Sequence, residues 1–293
     1  MDRRPDIHHQ ADELASTLPP LLVAAERVAA TISQGVHGRR RVGQGETFWQ
    51  FRRYRSGDPA QLIDWRQSAK SQPLYVRENE WEAAQSVWLW RDFSASMHYR
   101  SSDDIPMKVE RANLLLLALA SLLVRGGEHV AVLGGGVAPG SGRAALHRLA
   151  VVIKEGRTPP ENVPAFVLLP RDARVVLIGD FLSPIDEIKA SVDRFAGRGV
   201  RGHLLQILDP AEETLPFNGR VLFEGLEGEG DVLIGKVEAV RETYLDVLAA
   251  HNRGVEALAH SMGWTFATHH TNRPPEMALL ALFLVLSAGS QAG

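Results

Sequence analysis

The sequence predicts an α/β protein built on a doubly wound, mainly parallel sheet with helices on both faces, preceded by an N-terminal helix and a basic, β-rich extension. Two observations predict this architecture. From residue 86 onward, short apolar runs alternate with longer segments of helical periodicity, which is typical of a parallel sheet covered on both faces. Residues 37–77 differ, because basic and aromatic side chains interleave there around a turn at residues 56–59. We therefore expect an N-terminal region over residues 1–84 and a main domain over residues 85–290.

The predicted helices are segments in which apolar residues recur every three to four positions between start and stop signals. The first follows a proline pair and ends near Gly35. A further helix is expected to start after Thr158, since Thr-Pro-Pro-Glu at residues 158–161 fits a capping box with proline at the first helical position. The first helix is predicted over residues 19–34, and the others over residues 105–124, 141–154, 185–196, 237–262 and 276–287.

The predicted strands are short apolar runs bounded by turn-forming or charged residues. In the main domain they are placed at residues 86–92, 129–135, 174–181, 203–209 and 264–270. A hairpin is expected around residues 225–230, and extended segments are expected around the turn at residues 56–59. In a sheet of this kind, ligands bind outside the carboxyl ends of the strands, so the residues that follow each strand are the first candidates for a site.

Composition excludes several classes of protein. A chain of 293 residues with 45% apolar content buries enough surface to fold without disulfides or a structural metal. The absence of cysteine excludes a disulfide framework, a thiolate metal site and a thiol nucleophile, and we expect a cytoplasmic protein. We expect no targeting segment, and the longest apolar runs, at residues 114–124 and 277–286, are shorter than the roughly 20 residues that span a bilayer.

The net charge of −3 conceals an uneven distribution. Residues 37–77 hold nine basic and three acidic residues, a balance of +6, so the rest of the chain sums to −9. Six aromatic residues lie within the same basic segment. Charge is therefore segregated along the chain, which favours a protein that meets its partners through distinct surfaces.

Two acidic residues follow predicted strands, at the edge of the sheet where a ligand is expected. Asp92 ends the first strand of the main domain and begins the sequence Asp-x-Ser-x-Ser, and Asp180 ends the third strand. The spacing of Asp92, Ser94 and Ser96 places one carboxylate and two hydroxyls on the same side of a tight loop. Hard divalent cations such as Mg²⁺ and Mn²⁺ prefer oxygen ligands of this kind. The alternative is that Asp92 and the serines only cap the loop that follows.

Five motifs in one order resemble the bacterial family called domain of unknown function 58. Its pattern is close to R-x-Y-x-P-G-D, I-D-W, S-A-R, V-R-E and D-x-S-x-S-M, and the matching stretches here lie at residues 52–58, 63–65, 68–70, 76–78 and 92–97. The resemblance implies a von Willebrand factor A-like domain with a metal-ion-dependent adhesion site, preceded by a family-specific basic segment. It also implies a partnership with a MoxR-type AAA+ ATPase.

The resemblance assigns roles to individual residues. Asp92, Ser94 and Ser96 match the first metal loop, and Asp180 matches the acidic residue of the third. The middle loop of such sites supplies a threonine at a helix start; Thr158 fits this position and Ser141 is the runner-up, although an ordinary helix cap accounts for either hydroxyl. The family-motif residues, expected to be structural or to bind a partner, are Arg52, Tyr54, Gly57, Asp58, Asp64, Trp65, Arg77 and Glu78.

This sequence departs from the family pattern in its basic segment. Ser56 stands where the family has proline, Gln61 and Leu62 stand where arginines are expected, and Lys70 replaces an arginine. The motif region is therefore less basic than the family pattern, and this difference affects contacts with a partner more than it affects the fold.

The function predicted from these residues is a non-enzymatic, metal-dependent protein-binding module. Mg²⁺ or Mn²⁺, weakly bound without a partner, would be completed by a carboxylate of that partner. The family resemblance implies that the protein acts as an adaptor or co-chaperone of a MoxR-type ATPase, with a client protein as a further partner. One alternative is metal-assisted phosphoester hydrolysis, for which Asp103 or Asp104 is the candidate base. Another is nucleic-acid binding through residues 37–77, against which pairing of the arginines with Asp58 and Asp64 explains the same charges.

Overall fold

The structure is a computed structural model that describes residues 20–36, 47–53, 68, 74–80, 86–155, 162–170, 173–228 and 230–288. Its helices are α1 (Pro20–Val36), α2 (Lys108–Arg125), α3 (Gly142–Glu155), α4 (Ile185–Ala196), α5 (Pro210–Thr214), α6 (Val237–Ser261) and α7 (Pro275–Ala288). Its strands are β1 (Thr47–Arg53), β2 (Tyr75–Glu80), β3 (Ser86–Arg91), β4 (His129–Val132), β5 (Arg174–Gly179), β6 (Arg201–Leu208), β7 (Val221–Phe223), β8 (Val232–Ile234) and β9 (Thr265–His270).

Five strands form one parallel sheet in the order β4-β3-β5-β6-β9. The first strand of the sheet, β3, therefore lies between β4 and β5, which follow it in sequence. The connection from β3 through α2 leads to one side and the connection from β5 through α4 leads to the other. The strand order thus reverses between β3 and β5, and in doubly wound sheets the crevice at that point is where ligands bind.

The sheet is covered on both faces, because alternate side chains of each strand point to opposite sides. In β5, Val176 and Ile178 belong to the apolar cluster that also contains residues of α1, α2, α3 and α7. The neighbouring Val175 and Leu177 belong to a second cluster with residues of α4 and α6. These four side chains are fully buried, which confirms the mixed α/β architecture and the parallel sheet predicted from the apolar runs.

The basic segment forms a compact unit of its own over Arg40–Ala84, whereas α1 groups with the unit that contains Gln85–Gly293. Ala25, Ala29 and Ile32 of α1 lie in the same apolar cluster as α2 and α7. The N-terminal helix therefore belongs with the main domain, since its apolar stripe is buried there. Within the basic unit, β1 and β2 pair antiparallel with an irregularity between Phe48 and Gln50.

The predicted hairpin is present as β7 and β8, which pair antiparallel. Helix α2 begins at Lys108, three residues later than expected. Pro106 disfavours helical backbone at the residue that precedes the proline, and the Glu110 carboxylate accepts a hydrogen bond from the Met107 N–H at 2.9 Å, which caps the helix at that point. The helix expected after Thr158 is wrong for residues 162–170, which form bends and irregular chain that contain Pro164 and Pro170. Thr158 itself lies outside the described residues.

In the part of the chain that the structure describes, no helix is both long and apolar enough to cross a membrane.

Candidate metal centre

The candidate site lies at the carboxyl ends of β3 and β5, at the point where the strand order reverses. Asp92 directly follows β3 and Asp180 directly follows β5, and both side chains are buried. The two strand ends are tied together by a hydrogen bond from the Asp92 N–H to the Ile178 carbonyl at 2.8 Å. Two carboxylates from sequence-distant segments are thereby brought to one place.

The loop that begins at Asp92 holds its side chains in a chain of hydrogen bonds. The Asp92 Oδ1 accepts from the Ser94 N–H at 2.8 Å, and the Ser94 and Ser96 hydroxyls are 2.9 Å apart. The Ser96 hydroxyl in turn donates to Asp180 Oδ2 at 2.7 Å. Four of the residues assigned to the metal loops from the sequence therefore form one cluster of oxygens.

Two features fix the backbone around Asp180. Gly179 admits no side chain, since a Cβ there would lie 2.7 Å from the Asp92 Cβ. Phe181 has a positive φ of 51°, an uncommon conformation for a residue with a side chain, and its carbonyl accepts a hydrogen bond from His251 Nε2 at 2.7 Å. The close approach of the strand ends and the turn at Phe181 together place the Asp180 carboxylate beside Ser96.

A fully buried lysine, which the sequence analysis missed, is part of the cluster. Lys108 has 0% of its side chain exposed, and its ammonium lies 2.9 Å from Asp180 Oδ2 and 2.6 Å from Glu212 Oε1. Burial lowers the pKa of Lys108, but the charges of Asp180 and Glu212 outweigh it and raise that pKa above its usual value. Lys108 is therefore a permanent cation inside the site.

Glu212 and Asp209 come from the end of the next strand along the sheet. Glu212 Oε2 accepts from the Asp209 N–H at 2.7 Å, and the buried Asp209 carboxylate accepts from the Ala211 N–H at 2.8 Å and from the Ser101 N–H at 2.9 Å. Asp209 therefore ties the loop after Ser96 to the amino end of α5. The rule that pointed to Asp92 and Asp180 could have found Asp209, because it follows β6 directly, whereas Glu212 lies three residues further on within α5.

Negative charge in the site is only partly compensated. Burial, and after it the charge of Asp180, raises the pKa of Asp92 to about 7. The nearby Arg91 guanidinium contacts the Phe93 ring at 3.8 Å and donates to the Asp92 backbone carbonyl at 2.8 Å, so it does not pair with the carboxylate. A carboxylate that is hard to ionise in the folded chain would gain from a bound cation.

The donors present fit a hard divalent cation. Asp92, Ser94, Ser96 and Asp180 offer only oxygens, the ligand type that Mg²⁺ and Mn²⁺ prefer, together with excess negative charge. Within the described ranges, no group of three or more histidine or acidic side chains is arranged to hold a metal ion. The cluster is therefore a sparse one, with two carboxylates and two hydroxyls as its potential ligands.

The structure separates the other candidate residues from this cluster or leaves them undescribed. The bridge that pairs Gly140 with Val130 places Ser141 level with the amino half of β4, at the opposite end of the sheet from Asp92. Asp103, one of the two candidate bases for hydrolysis, is 93% exposed and pairs with Arg100 at 2.6 Å, and Asp104 is also exposed.

Some residues of the family motifs lie in described strands, and the others lie outside the described residues. Arg52 lies in β1, and Arg77 and Glu78 lie in β2. Outside the described residues lie Tyr54, Gly57, Asp58, Asp64 and Trp65.

These observations define an α/β protein with a doubly wound parallel sheet and a buried cluster of carboxylates and hydroxyls at the point of strand reversal. The chain belongs to the family described as "Protein of unknown function DUF58", whose sequence pattern matches residues 50–254. This confirms the family predicted from the five motifs.

Two mycobacterial proteins are similar to this chain over most of its length. The uncharacterized proteins Rv1480 of Mycobacterium tuberculosis and Mb1516 of Mycobacterium bovis are each 24% identical to this chain over 280 residues, which is 89% of this chain and 86% of the relative.

Two solved structures are similar to parts of the chain. The conserved hypothetical protein BatB from Bacteroides thetaiotaomicron matches 71% of this chain with a TM-score of 0.38 and 15% identity. An aerotolerance-related membrane protein from Bacteroides fragilis matches 70% of it with a TM-score of 0.40 and 14% identity. Each match covers 100% of the solved chain.

Proposed function

We propose that this protein is a non-enzymatic, metal-dependent protein-binding module with a von Willebrand factor A-like domain. Mg²⁺ or Mn²⁺ would be held by Asp92, Ser94, Ser96 and Asp180, with Thr158 as a further ligand. The observation that supports the proposal most is the chain of contacts from Asp92 through both serines to Asp180 at the point of strand reversal. The cation would supply an electrophilic centre with open positions for a carboxylate of another protein.

The residues around the cation would bind and orient rather than catalyse. Asp92 and Asp180 supply the charge, and the serine hydroxyls supply neutral oxygens that leave the cation electrophilic. Lys108 compensates part of the charge of Asp180, which would keep the affinity for the metal alone low. Weak binding without a partner is what a site completed by that partner requires.

The partner class follows from the family resemblance. A MoxR-type AAA+ ATPase, with a client protein as the further partner, would be bound through this site or through the basic segment. The protein would then work as an adaptor or co-chaperone. Because such an ATPase needs ATP, the protein would then work in the cytoplasm.

The test compares the wild-type chain with Asp92→Asn and with the control Asp246→Asn, which removes the same charge from the exposed surface of α6. Mn²⁺ binding is measured by electron paramagnetic resonance, and capture of the MoxR-type ATPase of the same genome is measured with Mg²⁺ or with a chelator. We expect Asp92→Asn to lose both and the control to lose neither. Equal metal binding by wild type and Asp92→Asn would overturn the proposal, and Mn²⁺-dependent cleavage of a phosphoester that Asp92→Asn abolishes would favour hydrolysis instead.

A further inference from the structure

The loop between β7 and β8 brings an acidic side chain to the rim of the candidate metal centre. Glu227 Oε1 accepts from the Ser96 N–H at 3.4 Å, across 131 residues of sequence, and its Oε2 accepts from the Asn162 amide at 2.9 Å. Ser96 is the residue whose hydroxyl contacts Asp180. The Glu227 carboxylate therefore lies next to the hydroxyl end of the cluster.

Two separate segments of the chain hold the Glu227 carboxylate at this rim. One donor is the Ser96 N–H in the loop that begins at Asp92, and the other is the side-chain amide of Asn162. Glu227 thus brings a further carboxylate to the edge of a site that already contains Asp92 and Asp180.

The hairpin that carries Glu227 is weakly anchored. Leu222, Leu226, Val232 and Leu233 are each about half exposed, so its apolar side chains contribute little burial. An element held by few apolar contacts opens at low free-energy cost. The loop can therefore leave the rim of the site without disturbing the sheet beneath it.

We infer that the Glu227 side chain, which lies at the rim, can turn toward a bound cation and occupy the open position of the metal centre as a carboxylate ligand from the chain itself, until an acidic group of a partner replaces it. This inference rests on the proposed function, since it needs a cation held by Asp92, Ser96 and Asp180. In the structure, the Glu227 carboxylate contacts the edge of the site and does not complete a set of metal ligands. The partner must supply a carboxylate that competes with Glu227. The apparent affinity for that carboxylate is its intrinsic affinity multiplied by the fraction of molecules in which the loop is open.

The experiment uses the full chain with Mn²⁺ as the probe and acetate as the competing carboxylate. Glu227→Gln is compared with wild type and with Glu224→Gln, which removes the same charge from an exposed position in the same loop region. Bound Mn²⁺ is counted by electron paramagnetic resonance, and the water molecules that remain on it are measured by proton relaxation. Acetamide replaces acetate in the neutral control.

We expect Glu227→Gln to bind Mn²⁺ about tenfold more weakly or worse, because even the loss of a residue that only orients a metal ligand costs about 10–100-fold in affinity. Each bound Mn²⁺ should then carry more exchanging water, and acetate should displace that water at a lower concentration than in wild type. Glu224→Gln should behave as wild type.

The outcomes separate this inference from the proposed function. If wild type binds Mn²⁺, Asp92→Asn does not, and Glu227→Gln matches wild type in affinity and relaxation, Glu227 is not a ligand and the metal site stands. If wild type binds no Mn²⁺, the proposed function and this inference both fail.

Discussion

Replacement of Lys108 by methionine tests the charge arrangement of the site directly. Methionine has nearly the same length and is apolar, so the substitution removes the ammonium while the buried space stays filled. Asp180 and Glu212 then lose the cation that lies 2.9 Å and 2.6 Å from their oxygens. Asp180 is left with its carboxylate buried and without its charged partner.

The expected magnitude follows from burial. Removal of one partner from a buried ion pair costs about 3–5 kcal/mol, because the remaining charge stays desolvated. Burial raises the pKa of Glu212 more than Lys108 lowers it, so that this group can take up a proton and relieve part of the loss. We therefore expect Lys108→Met to lower the free energy of unfolding by about 3 kcal/mol at neutral pH, the low end of that range.

The assay is urea unfolding with a chelator and with millimolar Mg²⁺. The control is Lys189→Met, which breaks an exposed ion pair with Asp193 on α4 and should cost no more than about 0.5 kcal/mol. Because Asp180 loses its internal cation in Lys108→Met, Mg²⁺ should stabilise this variant more than it stabilises wild type.

Two results would refute this reasoning. Unfolding of Lys108→Met at the same urea concentration as Lys189→Met would show that the buried pair contributes little. Equal stabilisation of wild type and Lys108→Met by Mg²⁺ would show that Lys108 and the cation do not act on the same carboxylate.

Three further predictions concern the framework around the site. Gly179→Ala should lower the free energy of unfolding by about 1–3 kcal/mol and weaken Mn²⁺ binding, because the new Cβ would lie 2.7 Å from the Asp92 Cβ. Urea unfolding identical to that of wild type would contradict the close approach of the two strands. Burial, and after it the charge of Arg174, lowers the pKa of His203 to about 4. The stability that the neutral His203 contributes is thus present above pH 6.5 and is lost as the pH falls toward 4, by up to about 3 kcal/mol. In urea titrations, His203→Gln should therefore lose less stability than wild type between pH 7 and pH 5. Ala29→Asp should lower the melting temperature measured by calorimetry, because Ala29 is fully buried where α1 joins the main apolar cluster. A melting temperature equal to that of wild type would show that α1 is not part of that core.

The sequence predicted the sheet and two of its site residues for the same reason. A strand buried on both faces is a nearly continuous apolar run, so its carboxyl end is marked where the first acidic residue interrupts the run, as at Asp92 and Asp180. The same logic applies to Asp209, where it was not used. Strand ends are thus the part of this site that local composition encodes.

Lys108 and Glu227 could not be found in that way. A lysine at the start of an apolar helix is expected to lie in solvent, and only the carboxylates of two other segments make its burial tolerable. Glu227 is exposed in a hairpin loop, and its significance comes from a contact with Ser96 across 131 residues. The helix expected after Thr158 failed for a related reason, because a local capping signal carries no weight when Pro164 and Pro170 follow.

The strand order has a consequence for the newly made chain. β3 pairs with β4 on one side and with β5 on the other, and β5 is separated from it by more than eighty residues, as the Ser96 to Asp180 contact shows. During synthesis the loop that begins at Asp92 leaves the ribosome long before Asp180 and Glu212 do. Contacts of such long range form slowly, because the entropy cost of closing a long loop comes before the contacts stabilise the chain. A nascent or truncated chain therefore displays the Asp-x-Ser-x-Ser loop without the groups that complete the site. A partner that requires the complete site binds only chains in which β5 has paired with β3.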